Sequence, residues 1–441
     1  MNKVNSLLIV AFLAFSFPTE AQETLSLQQA LELGLKNNYS IQLTKNIGAI
    51  AQNDNSLGNA GMLPLVSIGA AGGGIASASV SSNNIHQQYA SGLEVDKQAV
   101  SSNTVAVGPQ LYWTLFDGFK MFATHEKLKT LQDMGELNVK IMLETTVSKI
   151  IVAYFDVFRQ KQLLTALNEA ISIYQERLVI AEMKNKIGSG TDAEVLQAKV
   201  DLNEQKSALM RQVVQISNAK TALNLLLSRD SYTEFEITDS IRITYNPKFE
   251  DLKSSVLQKN NSLAFAQKNV TTSNLAIKEI ESQRFPIVGL NAGYYYGRSE
   301  NAAGFVLLNQ NLGYTAGIGI SWNLFNGFNV NRQVKDARLN SMNSELQYKD
   351  VRNQVESGLV TAYRNFQNSV ELLKLEEDNI ILAKKNMEIN LERFRLGYVT
   401  SLQLKDAQKS FLDAESRLVA ARYDAKVSET ELMRLNGALV N

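Results

Sequence analysis

The 441-residue chain has no cysteine, only two histidines (His86 and His125) and only five prolines. The first absence excludes disulfides, thiol chemistry and cysteine-ligated metals, and the second leaves little material for a histidine-rich metal site. Scarce proline favours long uninterrupted helices. Net charge is missing too, because 44 basic residues balance 44 acidic ones. That balance argues against a nucleic-acid partner or an acidic tail. Past the N-terminus no run is apolar enough for a transmembrane helix, so a membrane crossing would have to use strands. No phosphate-binding glycine loop, nucleophile elbow or paired-histidine metal motif is present. Neither an enzyme nor a bound cofactor nor a metal is expected. His86 falls in a polar loop and His125 early in a long helix, and both read as ordinary surface residues.

What is present begins at the N-terminus. Lys3, the apolar core from Leu7 to Phe17, and the small residues Thr19 and Ala21 read as a secretory signal over residues 1–21, with Gln22 as the first mature residue. Eleven apolar residues are too few to cross about 30 Å of hydrocarbon as a helix. Without a cysteine after this core, no lipid anchor can be attached there.

Only two tryptophans occur, and both stand in a repeated phrase. WTLFDGF runs from Trp113 to Phe119 and WNLFNGF from Trp322 to Phe328, 322 − 113 = 209 residues apart, with five of seven letters shared. The same offset pairs Tyr154 with Tyr363, Gly188 with Gly397, Thr191 with Thr400 and Leu223 with Leu432. A gapless register of this length indicates duplication. Upstream, Met62–Pro64 matches Arg284–Pro286 at an offset of 222, which implies a 13-residue insertion between Pro64 and Trp113.

Each half opens with a helical pattern, from Leu25 to about Ala60 and from Asp251 to about Gln283. At a proline the period then changes from 3.6 to 2. The clearest strand alternates Leu312, Tyr314, Ala316, Ile318, Ile320 and Trp322 with glycine, threonine, serine and asparagine. Strands are predicted near 64–76 and 103–115 in the first half, and near 286–297 and 312–325 in the second. Loops rich in serine, asparagine and glutamine, Ser77 to Asn103 and Arg298 to Asn311, would join them. Such strands have about the ten residues that a tilted membrane strand needs. Four of them cannot close a barrel alone, and open edges are not tolerated in lipid.

After each phrase the period returns to helical for 69 residues without proline, from Gly118 to Lys186 and from Gly327 to Arg395. A continuous helix of that length would be roughly 100 Å long at about 1.5 Å per residue. Leu164, Leu167, Ile171, Tyr174 and Leu178 have the spacing of a coiled-coil seam. Gly188 and Gly397 can end these helices in a left-handed conformation. Thr191 with Glu194, and Thr400 with Gln403, are capping-box patterns for return helices. The long hairpins therefore cover 118–227 and 327–437. The chain divides into a first repeat at 22–227, a lateral segment at 228–248 and a second repeat at 249–441. In the repeated phrase itself, Trp113 and Trp322 suit a membrane–water interface. Asp117 and Asn326 can cap the long helices, with Gly118 and Gly327 easing the turn.

The duplicated architecture, the strand-to-helix phrases and the tip sequences KIGSGTDAEVLQA and RLGYVTSLQLKDA together resemble the TolC-type outer-membrane efflux and secretion channel family, over essentially the whole mature chain. The resemblance implies a mixed α+β membrane protein with four transmembrane strands per chain. Three chains would build one twelve-stranded barrel, continued by a periplasmic α-helical barrel. It also implies a passive exit channel of an efflux pump or type I secretion system, in the outer membrane and in contact with its lipid. Its partners would be an inner-membrane transporter and a periplasmic adaptor. Matched onto this sequence, the family's entrance carboxylates fall on Gln403 and Asp406, with Glu194 and Gln197 as first-half equivalents. In a trimer Asp406 would form a ring of like charge that attracts cations. For Glu194 and Gln403 the capping reading stands beside that role. Gly188, Thr191, Gly397 and Thr400 would face the adaptor. The family's latching tyrosine and arginine positions hold Phe394 and Val399, a departure from the pattern. The competing reading is a periplasmic coiled-coil scaffold or adaptor that never enters the membrane.

Overall fold

The computed structural model describes residues 23–69, 77–245, 247–304 and 306–439. The signal-sequence expectation at 1–21, and residues 70–76 of the first expected strand, lie outside them. In chain order the elements are β1 (Glu23–Leu25), α1 (Leu27–Asn37), α2 (Tyr39–Asp54), β2 (Leu65–Gly69), β3 (Ser77–Gln88), β4 (Glu94–Phe116), α3 (Lys120–Lys186) and α4 (Asp192–Leu226). There follow β5 (Phe235–Ile237), α5 (Phe249–Lys259), α6 (Asn261–Glu281), β6 (Ile287–Asn301), β7 (Leu308–Ser321), α7 (Asn329–Arg395) and α8 (Ser401–Leu435). The helices α3 and α7 each run 67 residues, as the absence of internal proline allows.

The opening helix of each half differs from the sequence expectation. Instead of one helix from Leu25 to Ala60, the chain forms a short strand and two helices separated at Asn38. The Asn38 side chain accepts from the backbone N–H of Ser40 (3.0 Å) and Ile41 (3.3 Å), so it starts a new helix. Asn260, 222 residues later, interrupts the second half in the same extended conformation. A short amide that bonds nearby backbone competes with helix continuation, and apolar periodicity does not register it.

The chain divides into two compact units. Among the described residues, one contains 23–42, Met142–Asn260 and 356–439. Its core gathers Leu25, Ile150, Tyr154, Leu223, Leu227 and Phe235, all buried. Tyr154 Oη lies 2.8 Å from both Leu25 O and Asp239 Oδ2. Burial, then the Asp239 carboxylate, pushes this phenol up to about 12. The lateral segment joins this core through β5, which pairs in parallel with β1.

The other unit spans Leu43–Ile141 and Asn261–Val355 and holds a five-stranded antiparallel sheet. On one side of β4 lie β2, opposite residues 108–112, and β3, opposite residues 94–106. On its other side β6 pairs with β4, and β7 pairs with β6. The sheet therefore offers four strand positions, with free edges at β7 and at β2 and β3 among the described residues.

Two expected loops turn out to be largely strand. The Ser77–Asn103 stretch forms β3, a turn and the first half of the 23-residue β4. Likewise β6 runs on to Asn301 and β7 begins at Leu308. Near the β3–β4 turn both faces carry serine, asparagine and glutamine, so the two-residue alternation that marks a half-buried strand is absent. At its far end β7 stops at Ser321, which leaves Trp322 one residue beyond it, whereas Trp113 lies inside β4.

Candidate functional site: the sheet faces, the junctions and the helical tips

The sheet has two chemically distinct faces. Cross-strand rows such as Trp113–Leu290–Ile318 and Leu111–Ala292–Ala316 build an apolar one. Its β7 side chains are open: Leu312, Tyr314, Ile318 and Ile320 are 65–83% exposed. Rows such as Gln110–Gly293–Thr315 and Tyr112–Asn291–Gly317 build the other. Over residues 104–114, 289–299 and 309–321 that second face has no Asp, Glu, Lys or Arg. An apolar face against lipid and a polar face against water is the arrangement of a membrane barrel wall.

At the end of each inward strand, the tryptophan, the two phenylalanines and the capping residue of the repeated phrase each have a defined contact. The Trp113 indole donates to Met62 O (2.9 Å) and the Trp322 indole to Arg284 O (3.0 Å). Each tryptophan thus ties its strand end to the segment two residues before the matching proline. Gly118 and Phe119, like Gly327 and Phe328, sit in the left-handed region with φ between 60° and 71°. For phenylalanine that backbone is unfavourable. Edge-to-face ring pairs, Phe116 with Phe119 at 5.2 Å and Phe325 with Phe328 at 5.3 Å, hold the two turns. Both Asp117 oxygens accept from the Met121 N–H (3.0 and 3.1 Å), while Asn326 Oδ1 reaches the Val330 N–H only at 3.5 Å. These residues thus cap α3 and α7 from three positions before the first helical residue, with unequal strength.

At the tips, Gly188 and Gly397 end α3 and α7 with φ of 77° and 83°. Thr191 and Glu194 exchange bonds of 3.3 and 3.4 Å, and Thr400 and Gln403 exchange bonds of 3.2 and 2.9 Å. Glu194 and Gln403 are thereby occupied by their own capping boxes. Asp406 is exposed on α8, and no hydrogen bond joins it to either of them among the described residues. Its first-half counterpart Gln197 points elsewhere, donating to Asp201 at 2.8 Å. Phe394 is buried, with the Lys184 ammonium 4.0 Å from its ring centre. His86 is exposed, as expected, but the Nδ1 of the half-buried His125 is enclosed and unpaired among the described residues.

Comparison with known proteins accords with this geometry. A family model described as outer membrane efflux protein matches residues 35–229 and 252–438. The chain belongs to this family. It is similar to the outer membrane efflux protein BepC of Brucella suis, 20% identical over 76% of this chain and 73% of that protein. Outer membrane protein TolC of Escherichia coli is likewise 20% identical, over 80% of this chain and 73% of that protein. Among solved structures, the outer membrane channel CmeC of Campylobacter jejuni shares the fold with a TM-score of 0.79 at 17% identity, covering 93% of this chain and 85% of that one. Membership makes this protein an outer-membrane exit channel for efflux, and the family is one of channels rather than enzymes.

One polar cluster of this family member escaped the sequence reading. Arg177 on α3 donates to Asp201 on α4 (2.9 Å) and to Ser401 on α8 (2.9 Å), and Lys405 donates to Asp201 (2.8 Å). The Arg177 and Asp201 side chains are only 1% and 2% exposed. Burial alone would raise the Asp201 carboxyl, but hydrogen bonds from Lys405 and Gln197 and the Arg177 charge hold it below its usual value. The cluster ties the two helical hairpins together inside one chain.

Proposed function

We propose that three copies of the chain close a single barrel and form a passive exit duct. An inner-membrane transporter would energise it, and a periplasmic adaptor would couple to it at the helical tips. Residues 1–21 would direct export. The observation that carries this reading is the sheet: among the described residues it has two free edges, one exposed apolar face and one uncharged polar face. Such a sheet is stable in lipid only when further strands close it. The efflux role named for BepC supports the direction of transport. A periplasmic scaffold that never enters the membrane would have no use for Tyr314, 83% exposed, or Ile320, 72% exposed, on one sheet face.

The duct itself needs no covalent chemistry. Gly188, Thr191, Gly397 and Thr400 form the adaptor-facing turns, and Asp406 of each copy lines the entrance. Native mass spectrometry of the detergent-purified protein tests the assembly, with a three-copy mass expected. A stable monomer that gives no conductance in planar bilayers would refute the reading. Asp406→Ala is expected to lower the preference for cations in reversal-potential measurements; an unchanged preference removes Asp406 from the entrance.

A further inference from the structure

Next to the Trp322 end of β7 lies a groove of about 440 Å³, lined by Arg284, Phe328, Asn331, Arg332, Lys335 and Arg338. All these residues belong to the unit that holds the sheet. Four cations converge here, with two carboxylates to meet them. Arg332 pairs with Asp336 (2.8 Å) and Arg338 with Glu281 (3.0 Å). Arg284 donates to the neutral Asn331 (3.1 Å), and Lys335 has no ion pair among the described residues. Apart from the Arg332–Asp336 pair within α7, the helix does not favour the cluster. Arg332 is the fourth residue of α7, whose first turn contains no acid, and a cation near a helix N-terminus is disfavoured by the macrodipole. The repeat does not require it either, since positions 332, 335 and 338 correspond to Ala123, Glu126 and Lys129 in the first half.

The groove adjoins the strand end that carries Trp322. Trp322 closes the outward apolar row of β7, and its indole is bonded to the carbonyl of Arg284, which lines the groove. Around it Leu324, Phe325 and Phe328 are 68–79% exposed. Apolar strand, aromatic belt and a cation cluster only half neutralised by carboxylates thus follow one another, an order that fits acyl chain, interface and phosphate. We propose that the groove binds the phosphate of an anionic phospholipid in the periplasmic leaflet, with the acyl chains lying along β7. This rests on the barrel reading above, and it adds a lipid site found in only one of the two repeats.

The test is native mass spectrometry of the full-length protein with phosphatidylglycerol, phosphatidylcholine and glycerol phosphate, and conductance is recorded on the same preparations. Phosphatidylglycerol should bind in preference to phosphatidylcholine, and glycerol phosphate should not bind. The triple variant Arg332→Gln, Lys335→Gln, Arg338→Gln should lose about fivefold in phosphatidylglycerol affinity per charge removed, with copy number and conductance kept. The charge-preserving variant Arg332→Lys, Arg338→Lys should retain binding. Equal binding of the two lipids, or a triple variant that binds like the parent, would overturn the proposal. So would tight binding of glycerol phosphate, which makes this a free-anion site, or loss of the assembly, which makes it a contact between copies. Intact conductance in the same samples would leave the channel reading standing.

Discussion

The two copies of the strand-to-helix junction share a sequence and a local geometry but differ in their surroundings. At the first, β4 is flanked on both sides, Trp113 is 38% exposed, and a Cβ on Gly118 would lie 2.4 Å from Ser282 O. At the second, β7 is an edge, Trp322 is 57% exposed, and a Cβ on Gly327 would meet nothing nearer than 3.8 Å. A carboxylate caps the first helix and an amide the second. Local letters set the turn, and neighbours decide whether it is packed or left exposed. The tips repeat the lesson: their capping boxes match, yet among the described residues only the first hairpin contains an ion pair with both side chains buried, Arg177–Asp201.

The largest difference between the halves should appear at that pair. Arg177→Met leaves Asp201 buried with fewer partners, and breaking a buried pair costs about 3–5 kcal/mol. The positions 209 residues on, Asn386 and Ser410, are exposed, and alanine there should cost no more than about 0.5 kcal/mol. Thermal unfolding followed by circular dichroism reads both, and equal losses would erase the asymmetry. The same pair responds to pH. A carboxyl held low in the folded state stabilises above its unfolded value, about 3.9 for aspartate, and loses that contribution as pH falls through the folded value. Acid should therefore narrow the gap between the parent and Asp201→Asn, and a gap that persists at the lowest pH would contradict the assignment.

A smaller contrast is expected at the glycines. Both need a left-handed backbone, which costs a side chain about 1–2 kcal/mol. Gly118→Ala should exceed Gly327→Ala, because only the first also meets backbone. The caps come last: Asp117→Ala should cost about 1–2 kcal/mol, and Asn326→Ala only a few tenths, given its 3.5 Å contact. A reversed order in unfolding temperature for either pair would show that the exposed junction is the better built of the two.

Much of this was legible because duplication exposes it. The phrase at Trp113 and Trp322, the tip glycines and the threonine caps are local signals, and each recurs at a fixed offset. Alternation revealed the strands wherever one face is apolar, but failed in β3 and early β4, where both faces are polar. The helix break at Asn38 was hidden because a side-chain amide, not periodicity, causes it. Arg177 gave no signal at all, since its partners lie 24 and 224 residues away. Nor could the sequence show that each tryptophan bonds to the carbonyl two residues before its proline, although both halves of that pairing were visible separately.

Because the chain contains no cysteine, one engineered thiol can report which sheet face meets water. The most direct test is single-channel conductance of Thr315→Cys and Ile318→Cys proteins in planar bilayers, before and after a charged, water-soluble thiol reagent. If the uncharged polar face lines the conduit, the Thr315→Cys current falls in discrete steps and the Ile318→Cys current does not change. An insensitive Thr315→Cys channel alongside a blocked Ile318→Cys channel would contradict the account.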